Sequence, residues 1–504
     1  MDLTKETIKS LTNRYKNKEI KIADVIKQVY ENIENNSNNA FINIYKEDAL
    51  KKAVELDYKI EKGEKVGNLV GIPVAVKDNI CVDRMKTTCG SRMLEEYISP
   101  FNADVIDALL KEDAIIIGKT NMDEFGMGST SETSDYGPVV NMYNKDRVVG
   151  GSSGGSAAAL VANECIVSLG TDTGGSIRQP AAYMGLVGIK PTYGLVSRYG
   201  LVAYASSFDT IGPLAKNVED AAYILDVIAR YDEKDGTSVR KYNRNGEEIS
   251  NSDKAKNNVL KNGTFNNDVE YLEMKYLNKD IKGMKIAIPK EYMDDNLDIE
   301  LKEAIYRLKD KLIDMGAIVE EVSMKMSKYV LPTYYVLACA QASSNLARYD
   351  GVKYGHRAND YEDLHHMYRK SRSEGFGKEV KRRIMLGNYV LSKGYYEEYY
   401  LKALKTKELI EKEYKNIFEK YDVICAPVVK GKAPYVGESL KNPLNMYKGD
   451  IYTTAVNIAG VPAITLSIDT DSEGLPIGVQ FIANHFEECK MIQIAHKVEQ
   501  EYKK

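Results

Sequence analysis

The sequence predicts an α/β fold in which a central mixed β-sheet is covered by helices on both faces. Short apolar runs typical of strands alternate with helical segments between about residues 65 and 230, and such alternation indicates a largely parallel or mixed sheet under helices. Further strand-like runs near the C-terminus could rejoin this sheet. Because 504 residues can bury one large core, we expect a single domain over residues 1–504 with a helical excursion.

Residues 1–64 predict an outer helical layer. Segments such as 22–30 carry apolar residues at spacings of three and four, the pattern of a helix with one buried face. The core with the candidate catalytic residues follows over residues 65–230. Its predicted elements are, in order, a strand at 73–76, a helix near 103–112, a strand at 114–118, a helix from Ser156, a strand at 165–170, a helix at 177–184 and a strand at 186–190.

The pattern changes in the middle of the chain. Between residues 231 and 279 Asp, Asn, Lys, Ser and Gly dominate and hydrophobic periodicity fades, which predicts a mobile surface insertion. Periodicity returns with a strand at 284–289 and helices across 298–315. Residues 329–420 are predicted to form long helices, and these helices make up the helical excursion on the substrate side of the domain. Residues 421–504 contain the returning strands, at 422–426, 463–468 and 477–482.

Composition excludes several classes of protein. A net charge of −4 and a pI near 6.0 argue against a dedicated nucleic-acid binder, so any nucleic acid would be held mainly by a partner. The absence of a long apolar run and of a secretory leader predicts a cytoplasmic protein without a membrane span. The six cysteines form no Cys-x-x-Cys pair, and the adjacent His365 and His366 lack the helical spacing of metal ligands. We therefore predict reduced thiols and no metal site.

Two segments rich in glycine and serine, residues 150–156 and 170–176, suggest acyl-transfer chemistry. Glycine has no Cβ and admits positive φ, so backbone N–H groups in such segments can converge on a small anion such as an oxyanion. The first histidine of the chain is His356, far from both segments in sequence. The hydroxyl groups would therefore need a base other than histidine, and Lys77, after a strand-like run, is the candidate.

Lys77 can act as a base only if it is desolvated. An exposed lysine has a pKa of about 10.4 and is protonated at neutral pH. Lys77 follows the apolar run 72–76, which predicts a buried strand, and burial lowers the pKa of an amine by up to about 3–5 units. The ordinary alternative is a lysine at a strand end with its ammonium in water. The two serine segments favour the buried base.

Other motifs leave alternatives open. Residues 150–154 match the Gly-x-Ser-x-Gly elbow of α/β-hydrolases, which also requires an acid and then a histidine downstream. His485 and His496 stand in that part of the chain, although His496 lies in a helical run. Residues 118–120 end like a phosphate-binding loop, but Asp113 occupies the position of its first glycine. For a glycine- and serine-rich run taken alone, a plain turn is the better explanation.

Residues 76–79, 150–159 and 173–178 together resemble the amidase signature family. Further runs are similar to the branch of that family that serves tRNA-dependent glutamyl/aspartyl amidotransferases, and this similarity extends over nearly the whole chain apart from 231–279. These runs are residues 121–125, 342–351, 376–387 and 456–463.

The resemblance implies a Ser–Ser–Lys triad. Ser176 would be the nucleophile, Ser152 the bridging serine, preceded in the family by a cis peptide bond, and Lys77 the neutral base. A serine hydroxyl can donate one proton and accept another, so Ser152 could relay the proton of Ser176 to Lys77. The oxyanion hole would consist of the backbone N–H groups of Thr173, Gly174, Gly175 and Ser176.

By the same resemblance the substrate is glutamine. Arg383 would bind its α-carboxylate and Asp450 its α-ammonium, with Tyr334 nearby, and the planar fork of arginine suits a carboxylate. Ammonia would pass to a partner subunit that uses ATP and Mg²⁺ to amidate Glu or Asp on misacylated tRNA. The partners would be subunits B and C of a heterotrimer. The alternatives are a free-standing amidase for another small amide and a scaffold subunit without catalysis.

Overall fold

An eleven-stranded mixed sheet runs through residues 2–239 and 276–503, the part of the chain that the computed structural model describes. Its strands are β1 Phe41–Ile44, β2 Pro73–Lys77, β3 Ile115–Thr120, β4 Val167–Asp172, β5 Val187–Lys190, β6 Thr210–Ala215, β7 Lys285–Pro289, β8 Ile318–Val322, β9 Val423–Pro427, β10 Ala463–Thr470 and β11 Pro476–Ala483. They follow one another across the sheet in the order β1-β3-β2-β4-β6-β5-β10-β11-β9-β7-β8.

Parallel pairing is confined to two places in this sheet. β2 pairs in parallel with β3 and β4, and β7 pairs in parallel with β8 and β9. The other pairs are antiparallel. Every residue of β2, β3, β4 and β6 is buried. Since successive side chains point to opposite faces of a sheet, both faces are covered in this region.

Helices form the covering layers. The described helices are α1 Ile8–Lys16, α2 Ile22–Asn35, α3 Lys46–Lys62, α4 Asp104–Lys111, α5 Gly154–Val161, α6 Arg178–Tyr183, α7 Val218–Ile228, α8 Ile299–Asp314, α9 Ser327–Asn345, α10 Leu364–Gly375, α11 Lys378–Leu391, α12 Lys402–Phe418, α13 Glu438–Lys441, α14 Pro443–Gly449, α15 Thr454–Ala459 and α16 Glu488–Tyr502. A π-helical turn, Tyr396–Leu401, leads into α12. No helix in these ranges is long and apolar enough to cross a membrane.

The alternating elements predicted for the core are confirmed. β2 to β5 and α4 to α6 lie within a few residues of their predicted positions, and the C-terminal strands do rejoin the first sheet because β10 pairs with β5. The long helices α9 to α12 form the predicted excursion. The mobile insertion predicted for 231–279 falls mainly on residues 240–275, outside the described residues. In the described N-terminal part of this predicted insertion, Asp232 accepts a 2.7 Å hydrogen bond from the hydroxyl of Ser197.

Three strands were not predicted, each for a physical reason. β1 is four residues long within the N-terminal layer predicted as helices, and it is defined by long-range pairing with β3. β6 contains Gly212 and Pro213, which are uncommon in central strands. β8 is an edge strand that contains Glu320 and Glu321. Charged residues on an edge strand hinder pairing with other chains, and they also weaken the apolar pattern by which a strand is predicted.

Candidate active site

Two neighbouring parallel strands carry the first predicted residues to one edge of the sheet. Lys77 is the last residue of β2, and Asp172 is the last residue of β4, which pairs with β2 in parallel. The carboxyl ends of parallel neighbours lie at the same edge, so the loop from β4 to α6, which contains Ser176, begins beside Lys77. Ser152 reaches this edge from the glycine-rich segment that precedes α5.

The amine of Lys77 is surrounded by hydroxyl groups. Its Nζ lies 2.7 Å from Ser152 Oγ, 2.8 Å from Ser153 Oγ and 2.8 Å from Thr171 Oγ1. The side chain is fully buried. A neutral amine has two N–H donors and one lone pair, so it can donate to two of these hydroxyls and accept a proton from the third. The geometry permits Ser152 to be that proton donor.

Burial controls the charge of Lys77. Desolvation lowers the pKa of Lys77 to about 7, although the more distant carboxylates of Asp123, Asp172 and Asp209 act in the opposite direction. Among the described residues no carboxylate forms an ion pair with this amine. A large share of Lys77 is therefore neutral at neutral pH, which is the state that general-base catalysis requires.

The two serine segments are held together through their backbones. The N–H of Ser153 donates to the carbonyl of Ser176 at 3.1 Å, and the peptide bond between Gly151 and Ser152 is cis, as the family resemblance implies. Ser152 is 1% exposed and Ser176 is 8% exposed, so Ser176 lies nearest to solvent. Within the described residues no hydrogen bond joins the two hydroxyl groups directly.

A buried ion pair shapes the loop that carries Ser176. Arg178 donates from Nε and Nη2 to the two carboxylate oxygens of Asp172, at 3.0 and 3.1 Å. Burial alone would raise the pKa of Asp172, but Arg178, together with Lys190 and a hydrogen bond from Asn457, lowers it to about 2. The same carboxylate accepts the N–H of Gly175 at 2.8 Å and that of Ile177 at 3.3 Å. The loop is thus wrapped around a fixed negative charge.

This arrangement refines the predicted oxyanion hole. The N–H of Gly175 is already used by Asp172. In the described part of the chain no hydrogen bond engages the N–H groups of Thr173, Gly174 or Ser176. These three donors remain for an anion, and Gly175 does not.

Arg383 lies at the centre of an aromatic and acidic cluster. It is 3% exposed, donates from Nε to Glu379 at 2.8 Å and from Nη1 to the hydroxyl of Tyr204 at 2.7 Å. Its guanidinium carbon lies 5.3 Å from the ring centre of Tyr335 and 5.4 Å from that of Tyr447. No other hydrogen bond to a described residue uses this guanidinium, so its Nη2 group and one N–H of Nη1 are available to bind a carboxylate end-on.

Asp450 belongs to the same cluster. The hydroxyl of Tyr335 donates to its carboxyl group at 2.6 Å, and the ring of Tyr335 also faces Arg383. Burial raises the pKa of Asp450 to about 7. A bound ammonium would offset that burial and favour the carboxylate. The structure therefore brings a guanidinium and a carboxyl group together around one aromatic ring.

Tyr334 joins this cluster to the loop of Ser176. A Cβ placed on Gly174 would come within 2.4 Å of the Tyr334 hydroxyl, so the tyrosine packs directly against the loop. Its ring centre lies 5.1 Å from that of the neighbouring Tyr335. The two predicted groups of residues therefore lie next to each other, with Tyr334 at their junction.

Sequence reasoning missed four residues of this cluster, Glu379, Tyr204, Tyr335 and Tyr447. One signal was available, because Glu379 stands four residues before Arg383 and this spacing places an acid beside a base on a helix. Tyr447 donates to Glu379 at 2.8 Å from α14, and Tyr204 comes from the loop before β6. These long-range contacts leave no local pattern.

Metal ligation is the remaining possibility at such a site. Across residues 2–239 and 276–503 no group of three or more His, Cys, Asp and Glu side chains is arranged to hold a metal ion. The hydrolase alternative requires His485 and His496, but in the described part of the chain neither forms a hydrogen bond with a serine segment, and His496 bonds instead to the carbonyl of Leu277. The basic group that the structure places beside the serine hydroxyls is Lys77.

Comparison with known proteins gives one consistent picture. The family model described as Amidase matches residues 24–492. The chain is 50% identical over 501 residues to the A subunit of glutamyl-tRNA(Gln) amidotransferase from Agathobacter rectalis, a match that covers 99% of this chain and 94% of the relative.

Solved structures agree with this similarity. The A subunit of glutamyl-tRNA(Gln) amidotransferase from Thermotoga maritima superposes with a TM-score of 0.76 at 36% identity, covering 99% of this chain and 95% of the other. The peptide amidase of Stenotrophomonas maltophilia superposes with a TM-score of 0.79 at 24% identity, covering 99% and 98%. At that identity the second match shows a shared fold and nothing more.

Proposed function

The chain belongs to the amidase family, and from this premise we propose that it is the glutamine-hydrolysing subunit of a tRNA-dependent amidotransferase. The observation that carries the chemistry is the fully buried Lys77 amine 2.7 Å from Ser152 Oγ. The assignment to an amidotransferase rests on relatives that carry that name and match nearly the full length of the chain.

Proton transfer in the proposed reaction runs through Ser152. Rotation of the Ser176 side chain brings its hydroxyl to Ser152 Oγ, which passes its own proton to neutral Lys77 and accepts that of Ser176. Ser176 Oγ then attacks the side-chain amide carbon of glutamine. Protonated Lys77 returns the proton through Ser152 to the leaving nitrogen, which departs as ammonia and leaves a glutamyl ester on Ser176. Water, activated by the same route, hydrolyses the ester to glutamate.

The loop of Ser176 supplies the electrostatic part of this proposal. The tetrahedral intermediate carries a negative oxygen, and the N–H groups of Thr173, Gly174 and Ser176 are the donors available to it. The loss of one such donor typically costs about 2.7–4 kcal/mol of transition-state stabilisation. Because the loop is fixed around the buried Asp172–Arg178 pair, these donors need little reorganisation during the reaction.

The aromatic cluster supports glutamine as the substrate. Arg383 would bind the α-carboxylate and Asp450 the α-ammonium, while Tyr334 separates these groups from the loop that holds the reacting amide. An apolar amide would leave the remaining N–H groups of Arg383 without an acceptor and the buried Asp450 carboxyl group without a cation, which is unfavourable. The pocket therefore favours a zwitterionic amide over the substrates of an unspecialised amidase.

The ammonia released would serve a partner. We propose that subunits B and C complete a heterotrimer in which a partner subunit binds ATP, Mg²⁺ and the misacylated tRNA, Glu-tRNA(Gln) or Asp-tRNA(Asn). The net charge of −4 fits a chain that leaves the nucleic acid to its partners.

The test is to express the chain alone and with its genomic partner subunits and to measure glutamate and ammonia release from glutamine. Ser176→Ala should assemble normally and release neither product. Ser168→Ala is the matched control, because Ser168 is a buried serine of β4 whose hydroxyl donates to the carbonyl of Ser156. Hydrolysis by Ser176→Ala at the wild-type rate would contradict the mechanism. A preference for an uncharged amide over glutamine would contradict the substrate assignment.

A further inference from the structure

We infer that Thr453 is a positioning residue that holds the oxyanion-binding loop in its working shape. This inference rests on the proposed acyl-transfer function and adds to it a residue outside the triad and the substrate cluster. Thr453 lies between α14 and α15 and is fully buried. Its hydroxyl donates to the carbonyl oxygen of Gly174 at 2.6 Å and makes a longer contact, 3.2 Å, with the carbonyl oxygen of Asp450.

The peptide group between Gly174 and Gly175 is held from both ends. Its carbonyl accepts from Thr453 Oγ1 at 2.6 Å, and its N–H donates to Asp172 Oδ1 at 2.8 Å. A peptide group flanked by two glycines has little steric resistance to rotation, because neither residue has a Cβ. Side chains from two distant parts of the chain therefore fix an orientation that the local backbone does not.

The orientation of this peptide group affects the N–H groups on either side of it. The relative directions of the N–H groups of Gly174 and Ser176 depend on the backbone angles of Gly174 and Gly175. Gly175 has φ +128°, a region that side chains rarely adopt, and a Cβ there would come within 2.4 Å of Thr453 Oγ1. Thr453 thus packs on the loop at the point where its angles are least constrained.

Thr453 is itself anchored to the substrate cluster. Its N–H donates to the carbonyl of Asp450 at 3.2 Å, and its own carbonyl accepts from Arg178 Nη2 at 3.0 Å. The segment that presents Asp450 to the substrate amine is therefore the segment that holds the Gly174 carbonyl. Through Thr453 the ammonium end of the pocket and the oxyanion end are built as one rigid unit.

The test compares Thr453→Val, Thr453→Ser and Thr454→Val in glutamine hydrolysis by the assembled enzyme. Valine keeps the shape of threonine and removes the hydroxyl. We expect Thr453→Val to lower kcat about 10- to 100-fold with KM nearly unchanged, less than the roughly 10²–10³-fold loss for removal of an oxyanion donor. Thr453→Ser, which retains the hydroxyl, should recover most of the activity.

Thr454→Val is the matched control. Thr454 is the next residue, is equally buried, and its hydroxyl donates to the carbonyl of Asp450 at 2.9 Å instead of to the loop. Its kcat should stay close to the wild-type value. Equal losses of kcat in both valine variants would overturn the inference, as would a Thr453→Val loss confined to KM or a failure of serine to restore kcat.

The inference and the proposed function can fail separately. If wild type does not hydrolyse glutamine, the proposed function fails, and the same three variants are then compared on whichever amide wild type hydrolyses. If wild type is active and Ser176→Ala is not, but Thr453→Val retains the wild-type kcat, only the inference fails.

Discussion

Lys77 and Lys119 are fully buried lysines on neighbouring strands with opposite surroundings. Lys119 lies 3.3 Å from the carboxylate of Asp78, so its burial is compensated by an ion pair. Within residues 2–239 and 276–503, the hydrogen-bond partners of Lys77 are all hydroxyl and carbonyl oxygens, and desolvation lowers its pKa to about 7. The difference shows how one sheet edge can bury two amines and make only one of them a candidate base.

Lys190 shows that burial is not sufficient. It is also buried without an ion pair among the described residues, and desolvation lowers its pKa to about 7. Its amine donates to the carbonyl of Pro191, at 2.7 Å. A proton acceptor needs a proton donor that leads to a nucleophile, and Lys77 alone of these three amines is bonded to serine hydroxyls.

Among the variants that test this comparison of buried lysines, Lys77→Met should have the largest effect on activity. We expect glutamine hydrolysis to fall on the order of 10⁴-fold or more, as when other hydrolase triads lose a member. The melting temperature should stay the same or rise, because the buried amine is replaced by an apolar side chain of similar length. Loss of folding together with activity would make Lys77 a structural residue like Lys119.

Lys119→Met should instead lower the stability of the fold. Removal of this ammonium leaves the buried Asp78 carboxyl without its partner, and breaking a buried pair in this way costs about 3–5 kcal/mol of unfolding free energy. Denaturant titration measures the loss. The double variant Asp78→Asn/Lys119→Met is the control and should recover part of it. A stable single variant would show that the pair does not compensate for burial.

Asp450 extends the comparison to carboxyl groups, because burial raises its pKa to about 7 and no lysine of the described ranges forms an ion pair with it. Below that pH the group is protonated and attracts an ammonium weakly, so KM for glutamine should rise as pH falls through about 7. Asp450→Asn should show a higher KM, by roughly 10-fold to 100-fold for a lost charged hydrogen bond, and no such pH dependence. A KM that is flat with pH in wild type would place the ammonium elsewhere.

The smallest expected effect belongs to Lys190→Met. Its amine contacts no serine hydroxyl, so kcat and KM for glutamine should remain close to wild type although its burial resembles that of Lys77. Steady-state kinetics on the purified variant provide the measurement. A loss as deep as that of Lys77→Met would show that a low lysine pKa anywhere in the core matters, and the distinction between the two sites would be lost.

The contrast also marks what a sequence can predict. The apolar run before Lys77 and the glycines around Ser152 and Ser176 are local features, and they predicted a buried lysine and two loops at one sheet edge. The roles of Arg383 and Asp450 came from the family resemblance, since nothing local separates them from solvated charges.

Contacts between distant segments were out of reach. Thr453 and Gly174 are 279 residues apart in the sequence and are joined by one hydrogen bond, which no periodicity signals. The occupied N–H of Gly175 depends in the same way on how the Asp172 side chain folds back on the loop. The same reason applies to strands. Gly212 and Pro213 prevented the prediction of β6 from the sequence, and the strand is defined by its antiparallel pairing with β4 and β5.

The most direct test of the central claim is the pH dependence of kcat at saturating glutamine for wild type and Lys77→Arg. Saturation removes the contribution of Asp450 to binding, so kcat reports the base. We predict that wild-type kcat falls as pH drops below about 7, the pKa to which burial lowers Lys77. Lys77→Arg should be inactive at every pH, because a guanidinium keeps its proton in a protein. Substantial activity in the arginine variant, or a wild-type profile without an ionisation near neutral pH, would contradict the account.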